Sequence, residues 1–431
     1  MDFTTLEQPG NYYDGRFQRH ESADGELLIT SPADAADVCA RHPFARDAVH
    51  AALQSARTAW PAWRRLTTDA RAEYLKRYQA RLRAHHGELT QTIAREVGKP
   101  LWEAKTEVDA MIAKVDLSLG EARRYTDDVQ LTDLPGEIRH RPLGVVAVIG
   151  PFNFPGHLPN GQIVPALLLG NCVVHKPSEK TPSVATWIAR CYDEAGLPPG
   201  VFNLVQGPGE YGALLATHSA VDGLMFTGSS EVGRRILASQ GDRIDRLVAL
   251  ELGGKNASIA LDDCDLERTA RAVAFSAYVT AGQRCTATSR LIATSRVFRP
   301  LVERIATIAR QLRAGYPFES VVFMGPVVAD VTRERLLLAQ RKACAHGFEA
   351  LVPGGSFEVA GRRGHYLRPA LHVAPNPELS VPGYTDSELF APDLAAYEVS
   401  DPDHAFALAN RSTTGLTASV FTASRELLER A

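Results

Sequence analysis

The chain has 431 residues, 45% hydrophobic and 23% charged, with a formal net charge of −3. That is ordinary globular composition, and the length is more than one core normally serves, so two or three domains are expected. A nearly balanced charge excludes the basic footprint of a nucleic-acid binder and a polybasic membrane-binding face.

The stretch Met1–Gly15 has no basic segment followed by an apolar run, and no segment approaches the roughly eighteen uninterrupted apolar residues of a membrane span. The expectation is a soluble, cytoplasmic protein. Cys39, Cys172, Cys191, Cys264, Cys285 and Cys344 are scattered with no C-x-x-C pair, and the histidines show no H-E-x-x-H spacing, so no metal site is expected. The pair His85-His86 reads as solvent-facing on a helix. An isolated cysteine in a reducing compartment is ordinarily a small buried hydrophobe.

From Ala45 to about Asp127 the pattern is helical, with runs at Ala45–Ala59, Asp69–His86 and Leu101–Tyr125 in which apolar residues recur three and four apart. Val129–Pro142, with Pro135-Gly136 as a turn between polar extended pieces, predicts a two-stranded arm. Short apolar runs then follow at Val145–Gly150, Asn171–Lys176, Val201–Val205, Gly223–Gly228 and Leu247–Leu252, as buried parallel strands would. Helical stretches separate them at Ile163–Leu169, Ser183–Ala195, Gly209–Thr217 and Ser230–Gln240. This alternation predicts a parallel sheet with helices on both faces. A second alternation starts after Gly253-Gly254, with a strand at Ala257–Leu261 and a helix at Leu266–Val279 capped by Asp265. The expected class is α/β: two parallel-sheet domains, at residues 1–123 with 143–252 and at 253–431, plus a small β arm at 124–142.

Four stretches carry chemistry. In Thr280-Ala281-Gly282-Gln283-Arg284-Cys285, a cysteine follows a helix in a glycine-containing loop, where it can be exposed among backbone donors as a nucleophile. A buried loop cysteine is the other reading. In Leu250-Glu251-Leu252-Gly253-Gly254, a carboxylate flanked by leucines at a strand end is expected to be buried, which suits a general base. A structural Glu paired with Lys255 is the alternative. Asn153, stiffly held in Gly150-Pro151-Phe152-Asn153-Phe154-Pro155, is placed either to donate to an oxyanion or simply to make a turn. No G-x-G-x-x-G follows the first strand. Instead Gly228-Ser229-Ser230-Glu231-Val232-Gly233 joins a strand to a helix whose N-terminus can receive a pyrophosphate, and Lys176 and Glu179 at another strand end can reach ribose hydroxyls.

In this order and combination the motifs resemble the aldehyde dehydrogenase superfamily, from about Pro32 to the last residue. The resemblance implies that Cys285 is the nucleophile, Glu251 the general base and Asn153 the oxyanion donor. It implies NAD as cofactor, with Lys176 and Glu179 on the adenosine ribose, Gly228–Gly233 near the pyrophosphate, and Glu388 and Phe390 at the nicotinamide ribose and ring. It implies a Rossmann-like NAD-binding domain, a catalytic domain and an oligomerisation arm. Within the superfamily, Phe152–Gly161 is similar to the dehydrogenases of N-succinylglutamate 5-semialdehyde in arginine catabolism. Val279–Thr286 and Gly196–Val201 fit the same group.

Three positions depart from that group: Lys255 where Asn is expected, and Ser387 and Ala391 in place of an acidic residue and a glycine. Members of the family continue past Phe421-Thr422-Ala423 with glycine-rich loops and a strand that crosses to a partner subunit. The expectation is therefore a catalytic domain lacking that segment, in a family that forms homo-oligomers. Oxidation of another semialdehyde and a non-catalytic NAD-binding homologue stay open. An acyl transfer to coenzyme A is argued against by Glu251.

Overall fold

A computed structural model describes residues 6–7, 9–18 and 23–431. Part of the Met1–Gly15 stretch read above for a leader lies outside the described residues. Contacts divide the chain into two units. The first holds the residues up to Thr30, Asp37–Val97 and Leu101–Glu251; the second holds Ser31–Ala36, Gly98–Pro100 and Leu252–Ala431.

The described residues before Ala45, where no periodicity stands out, carry the strands β1 (Leu6–Glu7), β2 (Asn11–Tyr13), β3 (Arg16–Gln18), β4 (Gly25–Ser31) and β5 (Asp34–Phe44). β2 and β3 form a hairpin through Asp14-Gly15, both at positive φ. Asp-Gly is the dipeptide such a turn selects, so this signal was present in the sequence. Four helices follow: α1 (Asp47–Trp63), α2 (Thr68–Ala84), α3 (His86–Val97) and α4 (Leu101–Leu119). α1 runs four residues past the expected Ala59 and through Pro61. Its end is held by Trp63, 1% exposed, whose indole N–H donates to the Leu167 carbonyl at 3.1 Å. α4 stops at Leu119 rather than Tyr125, with Gly120 leading into a 3-10 turn over Glu121–Tyr125. His85 and His86 sit partly exposed at a helix junction, and each lies within 3 Å of a carboxylate, Glu194 and Asp109 respectively.

β6 (Val129–Gln130) and β7 (Glu137–Ile138) pair antiparallel across the Pro135-Gly136 turn. The alternating elements are β8 (Val145–Ile149), α5 (His157–Leu168), β9 (Cys172–Lys176), α6 (Pro182–Glu194), β10 (Phe202–Leu204), α7 (Gly209–Thr217), β11 (Gly223–Thr227), α8 (Ser230–Ala238) and β12 (Leu247–Glu251). β8 and β9 are buried along their whole length, as strands covered on both faces are, β9 even at His175 and Lys176. The sheet order is β12-β11-β8-β9-β10-β2-β3, with the first five strands parallel. The chain winds outward from β8 through β9 and β10, then returns to the other side of β8 for β11 and β12. This doubly wound order places a switch point between β8 and β11, where open α/β sheets receive ligands beyond the carboxyl ends of their strands. β12 corrects one expectation. It is an edge strand whose residues alternate between exposed and half-buried, not a buried run.

The second unit contains β13 (Ala257–Ala260), α9 (Leu266–Tyr278), β14 (Arg290–Thr294), α10 (Ser295–Gln311), α11 (Asp330–Ala345), β15 (Glu349–Pro353), β16 (Ala370–Val373), β17 (Asp393–Val399), α12 (Pro402–Ala409), β18 (Ala418–Phe421) and α13 (Arg425–Arg430). Its sheet order is β15-β16-β17-β14-β13-β18, parallel except for β15. The Asp265 carboxylate accepts from the Arg268 N–H and caps α9 as expected. Both units are therefore α/β with largely parallel sheets. No helix among the described residues is long and apolar enough to cross a membrane.

The contrast between central and edge strands is testable. Ile292→Ala, in central β14 at 0% exposure, should lower stability by about 2–5 kcal/mol. Leu247→Ala, on exposed β12, should change it by about 0.5 kcal/mol or less. Urea titration of both variants, followed by circular dichroism, checks this; equal losses would contradict the assigned topology.

Candidate active site

The first unit gathers its candidate residues at one end of one sheet. β8, β9, β11 and β12 are neighbours, and their carboxyl ends lead into Asn153, Lys176, Gly228 and Glu251. The register is close: Ile149 pairs with Lys176 and with Phe226, and Thr227 pairs with Glu251. The Gly150 N–H donates to the Lys176 carbonyl at 2.9 Å, and the Gly228 N–H to the Glu251 carbonyl at 3.0 Å. Four motifs spread over 99 residues of sequence thus occupy one strip of the unit, because parallel strands linked by helices all end on the same side.

Each residue has its own setting. Asn153 is 4% exposed in the turn between β8 and α5. Lys176 is 2% exposed and donates to the Pro177 carbonyl at 2.6 Å. Burial pushes its ammonium down to about 8, and the nearby Glu179 carboxylate opposes the shift. Glu179 itself is exposed. The segment Gly228–Gly233 is the strand-turn-helix junction expected, with Ser229 as N-cap accepting from the Val232 N–H, and Ser230 and Glu231 opening α8. Glu251 departs from its expectation. It is exposed at the end of an edge strand, not buried. The alternative pairing with Lys255 is not formed either, because Lys255 is 2% exposed and donates to the Tyr384 carbonyl at 2.7 Å.

In the second unit the candidates lie at the amino ends of parallel strands. Cys285 precedes β14, and Glu388 and Phe390 precede the adjacent β17. Cys285 is partly exposed in a turn after a 3-10 segment, Val279–Gly282. Thr280 and Ala281 in that segment have φ of 59° and 51°, and Phe390 has 53°; among the described residues only Asp14 is a further non-glycine in this region. A side chain held left-handed costs about 1–3 kcal/mol, so the surroundings over-determine these residues. Gln283 does part of this, donating to the Thr280 carbonyl at 3.2 Å and accepting from the Val328 N–H at 2.8 Å. Arg284 is half-buried and donates to the Thr280 hydroxyl at 2.6 Å, as a loop-packing arginine does.

Asn256 was not singled out in the sequence. It immediately precedes β13 at 4% exposure, and its amide NH2 donates to the Cys285 carbonyl at 2.6 Å and the Ala287 carbonyl at 3.1 Å. Its amide oxygen accepts from the Thr417 N–H at 3.1 Å. Its position directly after Gly253-Gly254-Lys255 was the available signal. Arg335 was also missed; it donates to the Leu389 carbonyl at 2.7 Å, between Glu388 and Phe390.

The Glu388 carboxylate packs against Gly253 so closely that a Cβ there would overlap it. Burial pushes this carboxyl up to about 7, against the Gly254 N–H and the charges of Arg335 and Lys255. One of its oxygens, Oε1, is buried with no hydrogen-bond partner among the described residues. That is the kind of orphan acceptor a ligand hydroxyl satisfies.

The shift has a sign. The folded value lies above the ordinary 4.5, so between these two values the folded protein holds a proton that the unfolded chain has lost. Stability therefore falls as pH rises from about 4.5 to 7, and the full cost persists above. Glu388→Gln removes that cost. The variant should match the parent near pH 4.5 and exceed it above pH 7 by about 1–3 kcal/mol after allowing for solvent screening. Melting temperatures of both across this range test it, and a constant difference would refute it.

Comparison with known proteins follows the same lines. Residues 19–431 match the aldehyde dehydrogenase family. The N-succinylglutamate 5-semialdehyde dehydrogenase of Chromobacterium violaceum is 40% identical over 414 residues, covering 95% of this chain and 84% of its own. Its counterpart from Ectopseudomonas mendocina is 40% identical over 386 residues, 89% of this chain and 78% of its own. Among solved structures, a Thermus 1-pyrroline-5-carboxylate dehydrogenase with bound NAD superposes with a TM-score of 0.91 at 30% identity, covering 99% of this chain and 83% of its own. Lactaldehyde dehydrogenase from Escherichia coli gives 0.92 at 33% identity, covering 99% and 89%. The chain belongs to the aldehyde dehydrogenase family.

Proposed function

We propose that this chain oxidises N-succinylglutamate 5-semialdehyde to the corresponding acid with NAD, using Cys285 as a covalent nucleophile. The observation that carries the substrate is the 40% identity to the succinylglutamate semialdehyde dehydrogenases over most of the chain. The stretch Phe152–Gly161 supports it.

The residues fit NAD on two counts. Glu388 offers a buried oxygen with no partner among the described residues, suited to a ribose hydroxyl. The exposed start of α8 at Gly228–Gly233 is an N-terminus open to phosphate. In this reading Lys176 and Glu179 hold the adenosine ribose, and the exposed Glu179 carboxylate would repel the 2′-phosphate of NADP. Phe390 meets the nicotinamide. The first unit is then the nucleotide-binding domain and the second the catalytic one. The chemistry NAD supplies when bound is hydride acceptance.

The protein's own groups do the rest. The Cys285 sulfur adds to the aldehyde carbon, forming a thiohemiacetal. The Asn153 amide and the Cys285 N–H stabilise its oxyanion. Loss of the hydride leaves a thioester on Cys285. Glu251 takes a proton from water, the hydroxide attacks the thioester, and the acid departs with the thiol restored. The exposure of Glu251 supports this role by giving it access to water.

A cytoplasmic location belongs to the same reading, since a reducing compartment keeps Cys285 a thiol. So does a homo-oligomer, supported by the exposed apolar side chains of Val129, Leu131, Leu134 and Ile138 on the β6–β7 arm. Sizing of the purified chain tests that part.

The substrate is tested by NADH release with succinylglutamate semialdehyde beside pyrroline-derived glutamate semialdehyde and lactaldehyde. The first should give the highest kcat/KM, and preference for either of the others would displace it. Cys285→Ala should abolish turnover while NAD still binds in calorimetry; a fully active variant would rule out the nucleophile. Glu251→Gln should release a burst of NADH and then turn over slowly, because acylation survives better than deacylation. A steady rate with no burst would point to another base.

A further inference from the structure

We propose that Glu107, a buried carboxylate on α4, is a positioning residue for Asn153, acting by fixing the start of α5 and with it the turn that carries the Asn153 amide. This rests on the reading of Asn153 as oxyanion donor.

The argument begins with the first turn of α5, whose opening N–H groups need acceptors. The Leu158 N–H donates to the Phe154 carbonyl at 3.2 Å and the Asn160 N–H to the Gly156 carbonyl at 3.1 Å. Pro159 has no N–H. The two that remain, on Gly156 and His157, both donate to Glu107 Oε1, at 2.9 Å and 3.2 Å. The N-cap of α5 is Gly156, so the helix has no side-chain cap of its own. A capping side chain is excluded there by packing, because a Cβ on Gly156 would lie 2.5 Å from the Met111 sulfur. The missing cap is therefore supplied from a different helix, by a carboxylate 2% exposed. Burying a charge in this way is costly unless it is paired, and the positive end of α5 offsets that cost.

α4 grips α5 at a second point one turn along. The Asn160 side-chain NH2 donates to the Met111 carbonyl at 2.9 Å, while its oxygen accepts from the Tyr78 hydroxyl at 2.8 Å. At its other end the Asn153 turn is tied to the sheet by the Gly150 N–H on the Lys176 carbonyl. Asn153 thus sits between two fixed points, the sheet and Glu107. This also accounts for the boundary of α5, which begins at His157 instead of the expected Ile163: the stabilising partner is 50 residues away in sequence.

The test is a double-mutant cycle on kcat for aldehyde oxidation, with variants Glu107→Ala, Asn153→Ala and the pair. Asn153→Ala should lose on the order of 10²–10³. Glu107→Ala should lose about 10–100-fold, the scale of a misplaced catalytic group, with KM for NAD unchanged. The pair should be no slower than Asn153→Ala alone, because a positioning residue has nothing left to position. A purely structural role would cost the same factor in both backgrounds, and that result overturns the proposal. If Asn153→Ala keeps the parent rate, the oxyanion reading itself falls, which is a separate and recognisable outcome. Should Glu107→Ala fail to fold, the cycle runs with Glu107→Gln, which keeps an acceptor oxygen. It should lose less than tenfold in the parent background and nothing in the Asn153→Ala background; an equal loss in both again overturns the proposal.

Discussion

The second unit depends on one side-chain amide. Asn256 donates to the carbonyls of Cys285 and Ala287 and accepts from Thr417, so it ties the cysteine loop to β13 and to the segment entering β18. Hydrogen bonds of this kind are expensive to leave unmade, since an amide as buried as that of Asn256 incurs its full desolvation penalty when it has no partner. The same short stretch carries two other anchors. Gly253 receives the Glu388 carboxylate, and Lys255 reaches the Tyr384 carbonyl. Residues 253–256 thus set the cysteine loop and the Glu388–Phe390 segment against a single backbone, and strain at Thr280, Ala281 and Phe390 is tolerated because both sides are held.

The two units place their candidate residues by opposite uses of a parallel sheet. In the first, Asn153, Lys176, Gly228 and Glu251 follow the carboxyl ends of β8, β9, β11 and β12. In the second, Cys285, Glu388 and Phe390 come before the amino ends of β14 and β17. A parallel sheet makes both arrangements possible, since strands of one direction put all their ends of one kind on one side. Helix-linked strands then bring together residues that are far apart along the chain.

Family membership narrows the chemistry without deciding the substrate. Its relatives of known structure include proteins named for pyrroline carboxylate and for lactaldehyde, at 30% and 33% identity and TM-scores above 0.9. At that level the fold varies too little to carry specificity. Side chains around the nucleophile must carry it, and Arg284, the nearest cation in sequence, is occupied with Thr280.

Elements with strong local signals were legible from the chain alone. The short runs Val145–Ile149 and Cys172–Lys176 are legible as strands from their valine-rich, apolar starts, and the Asp265 cap marks the start of α9. The candidate residues Cys285, Asn153 and Glu388 could be named because residue type and neighbouring motif are local properties. What the sequence could not decide is who stands beside whom. That Leu247–Glu251 lies at a sheet edge, leaving Glu251 exposed, depends on strand order, which periodicity does not encode. That α1 passes through Pro61 depends on a pocket for Trp63 formed 104 residues later. That α5 begins at His157 depends on Glu107, and that the cysteine loop is fixed depends on Asn256. Each is a hydrogen bond or a burial between distant segments, and such energies exist only once the chain has folded.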